Sequence, residues 1–169
     1  KSLKDLGYSS DLFNIGRGIN RDMPNSIKNW LSKFEDLENR TFGIAGLTFK
    51  GNPETSDLRG SLALDILKII ETYTQNKIKI FDPVIIDKED TDYKAYYSEC
   101  ESVEDFNELI KVTDFLVIAN NHKFFKSIFN TNKIWEINPS IEIYDFWNNL
   151  TNNISESNIK KYKVFGVNN

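Results

Sequence analysis

The chain has 169 residues, enough for one ordinary domain or a domain with an appendage, and enough to bury a real core. Hydrophobic residues make up 40% and charged residues 27% with both signs interspersed, which marks a globular chain and excludes a disordered or fibrous one. A net charge of −4 argues against a broad basic surface, and no apolar run approaches the ~18 residues of a membrane span, so neither nucleic acid nor membrane is expected as a partner.

The first ten residues, KSLKDLGYSS, lack the apolar core of a signal peptide. Further on, Leu12, Ile15, Ile19, Met23, Ile27, Trp30, Leu31 and Phe34 recur at intervals of three and four, the apolar stripe of a helix. Pro24 interrupts this stripe, which predicts either one kinked helix or two helices meeting near Met23. Trp30 and Phe34 read as packing residues, and Asn20 as a polar residue at a dimer contact or simply exposed. A stripe this long needs something to pack against, and a partner chain is the natural candidate.

From Thr41 the pattern changes. Short apolar runs occur at TFGIAGLTF (41–49), KIKIFDP (77–83), DFLVIA (114–119) and IEIYDF (141–146), with YKVFGV (162–167) as a fifth. Helical patterns lie between them. The clearest carries Leu62, Ile66, Ile69, Ile70 and Tyr73, with Ser61 as N-cap and Asp65 in the first turn. Others are expected over 103–109 and 122–128, and segment 84–101 holds either a short strand or irregular structure. Apolar strands alternating with helices predict an α/β fold. It is expected to be a Rossmann-like three-layer sandwich with a mostly parallel sheet, preceded by a long N-terminal helix or helix pair.

The first run is expected to reach Phe49-Lys50 and to open a polar loop that closes on Arg59 and the N-terminus of the next helix. Ligands of open α/β sheets bind beyond the carboxyl ends of the strands, and a helix N-terminus favours anions. Lys50 supplies a point charge, Arg59 a planar fork, and Thr55, Ser56 and Ser61 hydroxyl donors, a set suited to phosphate or pyrophosphate. Equally, both cations could be solvated, with Asp57 capping the loop. GxxxxGK[ST] is missing, and GIAGLTF lacks the third glycine of the dinucleotide fingerprint.

Other candidates read as structural. His122 is the lone histidine, which excludes a multi-histidine metal site, and as a helix-start residue it reads as a local hydrogen-bonding group. The carboxylates of DKEDTD (87–92) lack EF-hand spacing and read as a solvated loop, so no metal is expected. Cys100, in YYSECESVEDF, has no glycine, lysine or helix N-terminus to activate it and reads as structural or surface-lying; a single cysteine also suits a reducing cytoplasm.

Gly46-Leu47-Thr48-Phe49-Lys50, followed after a longer, Pro53-containing spacing by Thr55, Asp57, Arg59 and Ser61, resembles the G-L-x-F-K-x-x-T-x-D-x-R-x-S pattern of the UDP-glucose/GDP-mannose dehydrogenases. The order of later segments, IKIFDP, DFLVIANNHKFF and IEIYDFWNNL, is also similar to that family, as is GINRDMP upstream. The resemblance implies the C-terminal part of an NAD-dependent nucleotide-sugar 6-dehydrogenase, an enzyme that oxidises a sugar C6 alcohol to the carboxylate through a cysteine thiohemiacetal. It places Phe49 and Lys50 at the nucleotide-sugar, or UDP-sugar, and Arg59 on the NAD side of the cleft. Trp147, where the family often has an arginine, could stack on a base or sugar or lie in the core. Residues 1–37 then correspond to the end of the central dimerisation helices and 38–169 to the nucleotide-sugar-binding domain. A homodimer through the N-terminal helix is implied. The family's G-G-x-C motif is not in this sequence, so no catalytic residue is assigned, NAD is expected to be held mainly by an N-terminal domain, and the chain alone is expected to be inactive. The sugar itself is not specified. The rival expectation is a non-catalytic Rossmann-like nucleotide-binding or dimerisation module.

Overall fold

The computed structural model describes residues 11–84, 89–128, 133–149 and 154–167. In chain order the strands are β1 (Phe42–Ala45), β2 (Lys79–Phe81), β3 (Glu101–Ser102), β4 (Phe115–Ile118), β5 (Glu142–Asp145) and β6 (Tyr162–Val164). They form one parallel sheet in the order β3-β2-β1-β4-β5-β6, with Ile44 opposite both Ile80 and Val117, and Val117 opposite Tyr144. All four residues of β1 and of β4 are buried, as expected for central strands covered on both faces. The expected α/β, Rossmann-like architecture is therefore the one observed.

Alternation along each strand divides the core in two. One face presents Ile44, Ile80, Val117 and Tyr144 to Ala63, Ile66 and Ile70 of the helix Leu62–Ile70 and to Ile27, Trp30 and Leu31 upstream. The other presents Ala45, Phe81, Leu116, Ile118 and Ile143 to Phe106, Leu109 and Ile110, and to Phe125, Ile134 and Trp135.

The apolar stripe resolves as two helices, α1 (Asp11–Asp22) and α2 (Ser26–Leu31), joined by a 3-10 turn at Met23–Asn25. Pro24 lies in that turn, where its missing N–H leaves no helical bond unmade. The two helices have different fates. α2 is part of the sheet's core: the Trp30 ring lies 5.7 Å from Phe34, 5.5 Å from Phe115 and 5.3 Å from Tyr144, and the Tyr144 hydroxyl donates to Ser26 Oγ at 2.9 Å. α1 leaves Ile15 60% and Ile19 57% exposed, and Asn20 is exposed too. The side chain of Leu12 falls outside the described residues.

Downstream, α3 (Leu62–Ile70) starts where expected, with Ser61 Oγ accepting the Ala63 N–H. Segment 84–101 holds a helix that the pattern concealed, α4 (Thr91–Tyr97), which Asp90 caps and which buries only Tyr93 and Tyr97. The helix expected over 103–109 runs instead as α5 (Phe106–Val112), because Asp105 accepts the Asn107 N–H and sets the start. α6 (Lys123–Ile128), α7 (Lys133–Ile137) and α8 (Glu156–Ile159) complete the described helices. Asp87 and Lys88 of the acidic loop lie outside the described residues.

Because Trp30 closes the sheet face with three aromatic neighbours, Trp30→Ala is expected to cost about 3–5 kcal/mol, read from urea unfolding. A loss below about 1 kcal/mol would show that α2 is not part of the folding unit.

Candidate functional site

The strand order reverses between β1 and β4, so the switch point where an open α/β sheet binds ligands lies beyond Ala45 and Ile118. The loop 46–61 leaves one side of it and the turn 119–122 leaves the other. Strand β1 ends four residues before Phe49, which corrects the expectation from sequence. Gly46 turns the chain with φ +87° and donates its N–H to Phe81 O at 2.9 Å. A Cβ on Gly46 would come within 2.6 Å of Asn120, so glycine is required by space as well as by backbone angle. The next two N–H groups, of Leu47 and Thr48, donate to Asp82 Oδ2 at 2.6 and 3.1 Å. The FDP sequence after β2 thus acts as a bracket for the loop.

The turn after β4 grips the same loop. Asn120 Nδ2 donates to Thr48 Oγ1 at 3.0 Å, and Asn121 Oδ1 accepts the N–H groups of Gly51 and Asn52, both at 3.0 Å. His122 is buried; its Nδ1 accepts the Phe124 N–H at 3.1 Å, which leaves the proton on Nε2, 2.7 Å from Glu54 Oε2. That hydrogen bond holds the Glu54 carboxyl below its ordinary range. Asn120, Asn121 and His122 therefore occupy the crevice between the two segments, and the side chains left exposed lie on its outer rim.

On that rim stand Phe49, 53% exposed, and Lys50, also exposed, which pairs with no acid among the described residues. Trp147, 44% exposed, belongs to the rim and not the core; its Nε1 donates to Ala119 O at 2.9 Å, one residue from the asparagine that holds Thr48. Loop 46–61 and Trp147 are thus anchored to the same end of β4. Arg59 sits differently. Its Nε and Nη2 donate to the Asp57 carboxylate at 2.9 and 3.0 Å, which lowers the Asp57 pKa to about 2 and raises that of Arg59. The Asp92 carboxylate of α4 acts on Arg59 in the same direction. Of the hydroxyls, Ser61 is buried as the α3 cap, with its O–H directed at Thr48 O, whereas half-buried Thr55 accepts the Asp57 N–H on Oγ1 and keeps its own O–H as a donor.

Residues 43–152 match the family model for the UDP binding domain of the UDP-glucose/GDP-mannose dehydrogenase family. The chain belongs to that family. Among solved structures, it is similar to a UDP-glucose dehydrogenase from Pyrobaculum islandicum, with 18% identity over 95% of this chain and a TM-score of 0.65. It is also similar to a UDP-D-ManNAc dehydrogenase from Pyrococcus horikoshii (23%, 97%, TM-score 0.66) and to a GDP-mannose dehydrogenase from Pseudomonas aeruginosa (18%, 92%, TM-score 0.60). It covers 33%, 35% and 33% of those chains, so it spans about a third of their length. No curated protein sequence gives a significant match.

In this member of the family the Rossmann-like strand order lacks two features of a dinucleotide site. The phosphate fingerprint is missing, and the acid after β2, Asp82, is taken by backbone N–H groups instead of a ribose. The cavity of about 50 Å³ beside it, lined by Leu47, Phe81, Asp82, Tyr93 and Glu104, has room for water and not for a nucleotide. Among the described residues no helix is long and apolar enough to cross a membrane, and no group of three or more His, Cys, Asp or Glu side chains could hold a metal ion. Sequence reasoning passed over Glu54, Asn120 and Asn121; consecutive asparagines ending an apolar strand were the available signal, since they can accept and donate to a neighbouring loop's backbone.

Burial, reinforced by Glu71 and Glu99, pushes the Cys100 thiol up to about 11. At pH 8 its alkylation by iodoacetamide is expected to run roughly a hundredfold slower in the folded chain than in urea, from the smaller thiolate fraction. Mass spectrometry of quenched samples measures both rates; equal rates would show that the fold does not suppress the thiolate, and a faster rate in the folded chain would make Cys100 an activated thiol.

Proposed function

We propose that this chain is the nucleotide-sugar-binding part of an NAD-dependent nucleotide-sugar 6-dehydrogenase, which oxidises the C6 alcohol of a UDP-sugar to the carboxylate. The observation that carries this reading is the match of residues 43–152 to the family's UDP binding domain, coupled to an exposed Phe49-Lys50 pair on a tightly braced loop. In this reading the Lys50 ammonium meets the pyrophosphate, whose charge it offsets at close range. The Phe49 and Trp147 rings supply faces for the base or sugar. Arg59 keeps Nη1 available beyond its bond to Asp57 and serves the NAD side of the cleft. Because the switch point of this domain is filled, we place NAD in a separate dinucleotide-binding domain of the same enzyme. The thiolate that attacks C6 is placed outside this chain too, since Cys100 is half-buried with a raised pKa. This piece alone is then inactive in turnover.

Residues 1–37 are proposed as the end of a central dimerisation region and 38–169 as the binding domain, working in the cytoplasm. Support for the dimer comes from α1, whose Ile15 and Ile19 stand in water while the matching residues of α2 are buried.

Calorimetric titration with UDP, UDP-sugars and GDP tests the reading. Binding in the millimolar range, about −4 kcal/mol at 25 °C, is expected for UDP, and Lys50→Ala is expected to weaken it at least ~10-fold, the loss of a charge-assisted contact. UDP affinity unchanged in Lys50→Ala would remove Lys50 from the site and sink the proposal as drawn.

A further inference from the structure

We propose that Asn121, His122 and Glu54 are positioning residues for Lys50: the turn after β4 holds the binding loop in the one shape that presents the Lys50 ammonium to an anion. The inference rests on the function proposed above and adds to it the residues that set the site's geometry.

The backbone around Lys50 is fixed on both sides. Before it, the Thr48 N–H is held by Asp82 and the Phe49 N–H donates to Asp57 O at 2.7 Å. After it, the Gly51 and Asn52 N–H groups converge on the single oxygen of Asn121. Only an oxygen can take both donors, so the orientation of the Asn121 amide follows from chemistry. Gly51 also lies against the His122 backbone so closely that a Cβ would meet it at 2.2 Å. Two residues further, Glu54 reaches back to His122 Nε2 at 2.7 Å, and His122 is locked in turn by the Phe124 N–H on Nδ1. Residues 51, 52 and 54 are thus tied to the end of β4 while the Lys50 side chain projects into solvent. A ligand meeting a charge on a preset backbone does not have to order the loop, and the affinity is higher for it.

The sign of the charge separates this role from an electrostatic one. Glu54 is negative and close to the loop that is to bind an anion, so if it acted through charge, both Glu54→Ala and Glu54→Gln would tighten UDP binding. If it acts by positioning, Glu54→Gln keeps an oxygen for His122 Nε2 and binds like the parent or better, whereas Glu54→Ala binds about tenfold more weakly. Glu54 is exposed, so its removal leaves the core intact.

Two readouts decide the matter on the 169-residue chain: UDP affinity by calorimetry, and amide hydrogen exchange at Gly51 and Asn52, groups that Glu54 does not itself touch. Glu54→Ala and Asn121→Ala are each expected to speed exchange at both amides at least ~10-fold with the unfolding midpoint nearly unchanged, and Glu54→Gln to leave it as in the parent. Exchange at those amides unaltered in Glu54→Ala overturns the proposal, and so does Glu54→Ala binding UDP as tightly as the parent while Lys50→Ala has lost it. That last pattern leaves the UDP-site reading standing. If the parent chain binds no UDP, the UDP-site reading fails for this chain, and the exchange rates still decide whether the pair holds the loop.

Discussion

A parallel sheet covered on both faces leaves the backbone N–H groups just past its strand ends pointing into a region with little water, and each must find an acceptor. In this protein aspartates supply them. Asp82 at the end of β2 takes the N–H groups of Leu47, Thr48 and Val84. Asp145 at the end of β5 takes those of Trp147 and Asn149, together with the Tyr162 hydroxyl and the Asn149 amide. Asp145 is fully buried, and burial raises its pKa even against those donors, so it remains a costly group held in place by its partners. At the opposite end of the strands, just before β4, Asp114 takes the Thr41 N–H. The loops that carry the rim residues, 46–61 and 146–149, start from two of these carboxylates, and their shapes follow from them.

That economy sets the end of this sheet apart from the dinucleotide fingerprint of a Rossmann fold. The crevice at a switch point holds a ligand when glycines let the backbone approach a pyrophosphate and the acid after β2 is free for a ribose. Here Asn120 stands against Gly46, and Asp82 is spent on the loop. The exposed side chains stand outside that crevice, at Phe49, Lys50 and Trp147. In the function proposed above, this rim is one wall of a larger cleft.

The fold was largely legible because the information was redundant. Each central strand announced itself as an apolar run, and α3 carried both its stripe and its Ser61 cap. What was hidden depended on single side chains. α4 is short and buries only two tyrosines, so no periodicity could develop, and α5 starts three residues late because Asp105, and not the apolar pattern, fixes its first turn. The end of β1 was misplaced for a similar reason: Leu47 and Thr48 are as buried as the strand, yet their N–H groups belong to Asp82. At the rim, composition identified Lys50 and Arg59 as an anion-suited pair, but the pairing of Arg59 with Asp57 and the grip of the NNH turn are tertiary facts without a local pattern.

The two cations of the loop consequently do different work. Arg59 is paired with Asp57 and also feels the Asp92 carboxylate, so its charge is already largely answered, and an exposed pair of this kind contributes little to stability. Its effect is on shape. By closing on Asp57 it folds the far limb of the loop, and the Asp57 carbonyl in turn accepts the Phe49 N–H at 2.7 Å. Lys50 is the neighbour of that bond, and no acid among the described residues answers its charge. On a chain of net charge −4, an anion approaching this edge is repelled at long range and attracted only at short range, where Lys50 is. In the function proposed above, selectivity for a ligand that carries both negative charge and a flat ring, over simple anions, is assigned to Phe49 and Trp147, because the lysine alone could not provide it.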